Sequence, residues 1–265
     1  MGDRVAARFV VGPRDGLAEY ALIHQSVCEK IPDNVSSEEA VALAGACPAT
    51  VLADRINKGE RVLVLGAGGG VGSHVCQMMR ERGASYIAGV SSCPDRLLKP
   101  PLSYDFAIDY TKEDPFSVQE FKNTPFDVVL DLAGGGWLSL IQNSSIVKPA
   151  SQGGRFLTTT TDTAIFEAHN IFQILQLFLV TPLWRAFKSR TWVRFRLPAY
   201  TFAMSLPAER DVMTRTMDLA GKGTLKAVID SNGPFPFTTE GVRAAFRLKE
   251  SRHAHGKVVV QVSKP

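Results

Sequence analysis

The chain has 265 residues, 45% hydrophobic and 21% charged, with a formal net charge of +4. That apolar fraction supplies a packed core and excludes wholesale disorder, the ordinary 22 Gly and 15 Pro exclude collagen-like or low-complexity chains, and no apolar run is long enough for a spanning helix. The charge is too mild to imply nucleic acid and is local: Arg185, Lys188, Arg190, Arg194 and Arg196 lie in an acid-free stretch, and the remainder is slightly acidic.

Residues 5–11 read as an extended piece ended by Gly12-Pro13, and residues 17–27 as a second, ended by Ile31-Pro32-Asp33. Ser36 with Glu39 three residues on is a capping box, so a helix is expected from there through the Ala-rich stretch to Ile56, kinked at Pro48. From residue 61 the pattern changes. Residues 61–65 form a continuous apolar run, as in a strand buried on both faces of a parallel sheet. Glycines crowd residues 66–72, and a helix runs on through Arg82. Further strands are expected at 86–90, 106–108, 127–132 and 155–159, with helices at about 114–122 and 138–148. This alternation predicts an α/β fold with a doubly wound parallel sheet.

Cys28, Cys47, Cys76 and Cys93 form no C-x-x-C pair and fit no zinc ribbon, so they read as reduced thiols. His253 and His255 read as surface histidines, and no metal site is expected. The opening Met1-Gly2-Asp3-Arg4-Val5 carries no apolar leader, and Ala6 spoils a myristoylation pattern.

The turn Gly66-Ala67-Gly68-Gly69-Gly70-Val71-Gly72 sits where a dinucleotide fold places its pyrophosphate, between a strand and a helix N-terminus. Its spacing meets G-x-G-x-x-G imperfectly, and the surrounding strand order strengthens it. After the second strand of the sheet, where an NAD site carries an acid for the ribose 2′-hydroxyl, the chain has Ser91-Ser92-Cys93-Pro94-Asp95-Arg96. Two hydroxyls and an arginine suit a 2′-phosphate, and Asp95 lies further into the turn. NADPH rather than NADH is therefore the expected cofactor.

These elements resemble the medium-chain dehydrogenase/reductase superfamily, and within it the zinc-free quinone oxidoreductase and enoyl reductase branch, which includes reticulon-interacting mitochondrial homologues. The resemblance rests on Gly2-Asp3-Arg4-Val5, Gly16-Leu17-Ala18-Glu19-Tyr20, Pro48-Ala49-Thr50, the glycine turn, Ile108-Asp109-Tyr110, Phe126 to Asp131, Gly153-Gly154-Arg155 and Gly256 to Val260, in family order. It implies a Rossmann domain over residues 50–205. Residues 1–49 would be the remnant of a GroES-like β-barrel with a linking helix, and residues 206–265 would be helices and a strand returning to that barrel. In the family Gly-Asp-x-Val lies late in the barrel; here it begins at residue 2. The resemblance thus implies a chain truncated at its N-terminus, or a truncated gene model, lacking about two-thirds of a ~100-residue domain. Between the Gly-Asp-x-Val and Ala-Glu-Tyr elements, where zinc-dependent relatives carry a structural zinc lobe, residues 6–17 contain no Cys.

By position the resemblance implies that Ala67, Gly69, Gly70, Val71 and Gly72 meet the pyrophosphate. Ser91, Ser92 and Arg96 would meet the 2′-phosphate, and Tyr110 would lie by the adenosine end. Thr50 would lie near the nicotinamide, and Gly134 and Thr158 would line its ribose and carboxamide. The implied function is NADPH-dependent hydride transfer to a quinone or α,β-unsaturated carbonyl, with no catalytic side chain identified. The alternative is a catalytically impaired NADPH-binding or partner-binding protein. A homodimer is expected, nucleic acid is not, and the compartment is intracellular, either cytoplasmic or organellar (mitochondrial).

Residues 171–187 are almost wholly apolar, with Gln173 and Gln176 as one thin polar stripe, and basic residues and Trp192 follow. The favoured expectation is a helix, broken at Pro182, buried over the substrate cleft or at a subunit contact. A membrane-surface element is the alternative. The apolar content disfavours a single-stranded nucleic-acid patch.

Overall fold

A computed structural model describes residues 2–8, 16–163, 169–203 and 210–262. Strand β1 (Val5–Ala7) pairs antiparallel with β2 (Cys28–Lys30), Val5 opposite Lys30. The second extended piece forms no strand over residues 17–27 and ends in a 3-10 turn, Gln25–Val27, capped by the His24 side chain; the Gly12-Pro13 turn lies outside the described residues. The capping box is complete. Ser36 Oγ accepts from the Glu39 N–H at 3.1 Å, and the Glu39 carboxylate accepts from the Ser36 N–H at 2.9 Å, opening α1 (Ser37–Ala44). The single kinked helix of the sequence reading is two helices. The chain turns at Gly45, and Pro48 sits in the first turn of α2 (Cys47–Ala53), where its missing N–H costs no hydrogen bond.

The main sheet is built from β3 (Arg61–Leu65), β4 (Tyr86–Ser91), β5 (Phe106–Asp109), β6 (Val128–Asp131), β7 (Arg155–Thr158) and β8 (Ala199–Phe202), connected by α3 (Gly72–Glu81), α4 (Pro94–Leu97), α5 (Gln119–Asn123), α6 (Gly136–Gln142), α7 (Ile171–Leu175) and α8 (Thr181–Arg190). All six strands are parallel, in the order β5-β4-β3-β6-β7-β8. Counted within the sheet this is 3-2-1-4-5-6, the doubly wound order whose crevice opens where β3 and β6 part toward opposite sides. The strands at 61–65, 86–91, 106–109, 128–131 and 155–158 agree with expectation; β8 is an addition.

Alternation along the strands divides the apolar side chains between two cores. Val62, Val64, Ile87 and Leu130 face one, and Leu63, Leu65, Ala88 and Val129 the other. The second core is closed by rings, among them Phe121 edge-on to Phe126 at 4.7 Å and Trp137 edge-on to Tyr200 at 4.8 Å. The first core also takes in Ala40 and Leu43 from α1, Leu52 from α2, and Met213 and Met217 from α9 (Arg210–Gly221). The two ends of the chain therefore share a core with the sheet. Strand β9 (Phe235–Pro236), α10 (Thr239–Ser251) and β10 (Val260–Gln261) complete the fold. Residues 258–262 do not return to β1 or β2: β10 pairs parallel with β9, Val260 opposite Phe235.

Residues 171–190 form one helical column of α7, a π-type turn at Gln176–Val180, and α8. Pro182 does not break it, because the wide turn just before it absorbs the missing N–H and the ring. Nor is the column buried over a cleft. Phe172 is 78% exposed, Leu183 61% and Trp192 66%. α8 packs against β8 at the edge of the sheet, and among the described residues little else reaches the column's outer side. Among the described residues no helix is long and apolar enough to cross a membrane.

Candidate functional site: the carboxyl edge of the sheet

Strand β3 delivers the chain to the carboxyl edge at Leu65, and Gly66 turns it in the left-handed region at φ +81°. The Ala67 N–H donates to the Val90 carbonyl at 3.0 Å, tying the turn to β4. Gly72 opens α3 so close to the turn that a Cβ there would lie 2.4 Å from the Gly66 oxygen. A Cβ at Gly68 would lie 2.7 Å from Ser91 Oγ, whereas one at Gly69 would meet only the Gly66 oxygen, at 3.5 Å. Gly69 is thus the sterically open position of the turn. Val71 is the N-cap of α3 and provides no side-chain hydrogen bond; the Ser73 and His74 N–H groups donate to the Gly69 and Val71 carbonyls, so an anion would find the N–H groups of Gly70, Val71 and Gly72.

The adjacent corner lies at the end of β4. Ser91 is buried and its Oγ accepts from the Cys93 N–H at 3.2 Å; Ser92 is half-buried. Arg96, on α4, is half-buried, and its Nη1 is buried without a hydrogen-bond partner. An orphaned guanidinium nitrogen is costly unless something anionic meets it. Tyr110 follows Asp109, which the β4–β5 register places opposite Ser91, so Tyr110 stands at the same corner and is 53% exposed.

Across the crevice, Asp131 ends β6. Its carboxylate accepts from the N–H groups of Ala133, Gly134 and Gly136 at 3.0, 2.8 and 2.9 Å, moulding the loop that contains Gly134. Burial pushes the Asp131 carboxyl up, against those three donors. Thr158 ends β7 and is buried; its Oγ1 donates to the Thr160 carbonyl at 3.0 Å. The sheet thus brings the glycine turn, the Ser91–Arg96 corner, Tyr110, Gly134 and Thr158 to one edge.

Thr50 is placed elsewhere. It is buried in α2, its hydroxyl 2.9 Å from Thr216 Oγ1 on α9 and 3.3 Å from Met78 Sδ. Met78 lies six residues beyond Gly72, about 9 Å along α3. Thr50 therefore serves helix packing, and its hydroxyl is committed there.

Sequence reasoning overlooked the cover of the glycine turn. Residues 252–257 cross the carboxyl edge as a strap. Arg252 Nη2 donates to the Ala133 carbonyl, His255 Nε2 lies 3.4 Å from Cys93 Sγ, and a Cβ at Gly70 would meet Lys257 Cδ at 2.9 Å and the Gly256 oxygen at 3.1 Å. His255 is accordingly half-buried rather than a surface histidine, whereas His253 is exposed. The Lys257 ammonium donates to the Gly45 carbonyl, and burial, with Arg8 nearby, lowers its pKa to about 8. Beneath the strap, His74 holds the turn to the C-terminal segment. Its Nδ1 is 2.9 Å from the Gly70 oxygen, and its Nε2 accepts from the Val228 N–H at 3.0 Å. That pattern makes it a neutral imidazole protonated on Nδ1, and burial lowers its pKa to about 4.

A dinucleotide phosphate chain fits this edge. The turn is a cradle that side chains would fill, a helix terminus opens on it, and Arg96, after the end of the neighbouring strand, keeps a guanidinium nitrogen without a partner. A resident metal does not fit, since among the described residues no three His, Cys, Asp or Glu side chains converge.

Comparison with known proteins finds relatives across most of the chain. The model of the zinc-binding dehydrogenase family matches residues 102–260, more than half of the chain. The Arabidopsis thaliana chloroplastic NADPH-dependent alkenal/one oxidoreductase is 29% identical over 97% of this chain and 56% of its own length. The Danio rerio mitochondrial NAD(P)H oxidoreductase RTN4IP1 is 27% identical over 98% of this chain and 66% of its own. The chain thus spans only about half to two-thirds of these relatives. Among solved structures, the quinone oxidoreductase of Thermus thermophilus, also determined in complex with NADPH, superposes with a TM-score of 0.69 at 23% identity, covering 98% of this chain and 77% of that one.

Proposed function

This chain belongs to the zinc-binding dehydrogenase family, and on that premise we propose that it binds NADPH across the 66–72 turn and reduces a quinone or α,β-unsaturated carbonyl. The observation that carries the reading is the partnerless buried Nη1 of Arg96, on the short helix that follows Ser91 and Ser92 at the end of β4. A 2′-phosphate supplies the anion that this nitrogen lacks. The likeness to a relative named for NADPH and alkenals or enones supports the same cofactor and acceptor class.

When bound, the reduced nicotinamide supplies a hydride. The chain's part is positioning. Ala67, Gly69, Gly70, Val71 and Gly72 offer backbone to the pyrophosphate, and the strap lays the Lys257 stem across Gly70, with its ammonium on the Gly45 carbonyl. Ser91, Ser92 and Arg96 grip the 2′-phosphate, and Tyr110 flanks the adenosine. The loop moulded by Asp131 presents Gly134 opposite Thr158, to line the nicotinamide end. Holding donor and acceptor in attack geometry supplies up to ~7–11 kcal/mol of such a barrier. Residues 50–205 act as the cofactor-binding unit, with residues 1–49 and 206–265 packed on its first core. The outer edge of β8 suits pairing with a second copy in a homodimer.

The test is NADPH oxidation by the full chain with a panel of quinones and enals. Turnover with at least one acceptor supports the reading. NADPH binding without turnover would leave a cofactor-binding protein that has no reductase activity, and absence of NADPH binding would overturn the reading altogether.

A further inference from the structure

The column of residues 171–190 and the turn after it present an apolar face that the other described residues do not cover. Phe172, Leu183, Trp184, Phe187, Trp192 and Phe195 are each more than half exposed. Trp184, Phe187 and Trp192 form one ring cluster at the far end, with centroids 5.4 to 6.1 Å apart. A contiguous exposed patch of this kind marks an interaction site.

The charges around it have one sign. No Asp or Glu occurs between residues 169 and 203. Arg185 is neutralised by a two-pronged pair with Asp162 at 2.7 and 2.6 Å, which fixes the column to the loop after β7. Arg190 is held by the Tyr200 carbonyl and Thr201 Oγ1. Lys188, Arg194 and Arg196 remain exposed beside the ring cluster, Arg196 also donating to the Ile141 carbonyl.

We propose that this face docks on an anionic lipid surface, the column lying in the headgroup plane with its rings and aliphatic side chains at the acyl boundary. Charge selects the occupant. A two-fold contact between two copies of this face would set cations against cations, whereas an anionic bilayer complements them. The chemistry agrees: tryptophan beside lysine and arginine on an apolar helix is the pattern of an interfacial element. The column is neither long nor apolar enough to cross.

The test is co-sedimentation of the full chain with vesicles of phosphatidylcholine alone and of equimolar phosphatidylcholine and phosphatidylglycerol, at low and high salt. Binding at least about tenfold tighter to the anionic vesicles, weakened by salt, is expected from three exposed cations. Emission from Trp184 and Trp192 should shift to the blue. The double variant Lys188→Glu/Arg194→Glu should lose the anionic preference, and Phe187→Ser/Trp192→Ser should lose binding to both vesicles, each with NADPH affinity unchanged as proof of folding. Equal binding to both vesicles, or none to either, would overturn the proposal. So would a dimer in solution that Phe187→Ser/Trp192→Ser dissociates, because the face would then belong to a second copy.

Discussion

Lys257 lies across Gly70, its stem so close that a Cβ on the glycine would sit 2.9 Å from the lysine Cδ. One residue lies in the turn that follows β3 and the other in the strap near the C-terminal end of the chain, so only the finished fold brings them together. The contact lays the stem of a lysine, whose pKa burial lowers to about 8, on the turn proposed to hold a pyrophosphate, with the ammonium on the Gly45 carbonyl.

Lys257→Met should therefore weaken NADPH binding by about tenfold or more, the size of one hydrogen bond to a charged group. The pH dependence has a definite sign. Below about 8 the free protein's Lys257 is charged and attracts the phosphates; as pH rises through that value the charge is lost and affinity should fall. Titrations from neutral to alkaline pH should show this fall in the wild type and a flatter profile in Lys257→Met.

Gly72→Ala should destabilise the fold. The added Cβ would press on the Gly66 oxygen at 2.4 Å and the Ala67 oxygen at 2.6 Å, both backbone atoms that cannot swing away. Overpacking of this kind costs about 1–3 kcal/mol. Thermal unfolding should show a clearly lower midpoint than wild type; an unchanged midpoint would mean that the turn has slack the geometry does not show.

Arg96→Ala should separate the two cofactors. Losing a charge-assisted contact to a 2′-phosphate lowers NADPH affinity about ten- to a hundredfold, while NADH, which has no such phosphate, should be almost unaffected. Equal losses would remove Arg96 from the phosphate contact.

His74 makes stability pH-dependent. Its pKa in the folded protein is about 4, against an ordinary 6.5, so the unfolded chain binds the proton first as pH falls. Stability should decline from pH 6.5 to about 4 by up to ~3 kcal/mol and flatten below. In His74→Gln this component should vanish from urea-unfolding midpoints measured across that range, at the cost of a lower midpoint near neutrality.

The sheet was legible in the sequence because burial on both faces leaves a continuous apolar run, as in Val62-Leu63-Val64-Leu65, and because glycines mark the turn that follows. β8 was not. Its four residues, Ala199–Phe202, follow Pro198 and show neither a run nor an alternation. Residues 17–27 misled for the converse reason: they have strand composition, but among the described residues no strand pairs with them. The apolar content of residues 171–187 announced a surface to be covered without saying by what, and the described residues leave it open. The cover of the glycine turn depends on contacts between distant segments, so Gly256-Lys257 showed only as a family pattern. His74 was within reach, since it stands four residues after Gly70, one helical turn on, where a side chain can bond back to the loop.

Whether the glycine turn holds the cofactor is decided at Gly69, where a Cβ has room and a carboxylate does not suit a pyrophosphate. NADPH fluorescence should be titrated against the wild type, Gly69→Ala and Gly69→Asp, with their unfolding midpoints in parallel. Three folded proteins of similar midpoint are expected, with binding in the wild type, binding within about threefold of it in Gly69→Ala, because that contact is an ordinary van der Waals one, and none in Gly69→Asp. Undiminished NADPH binding by a folded Gly69→Asp would contradict the placement of the cofactor on this turn.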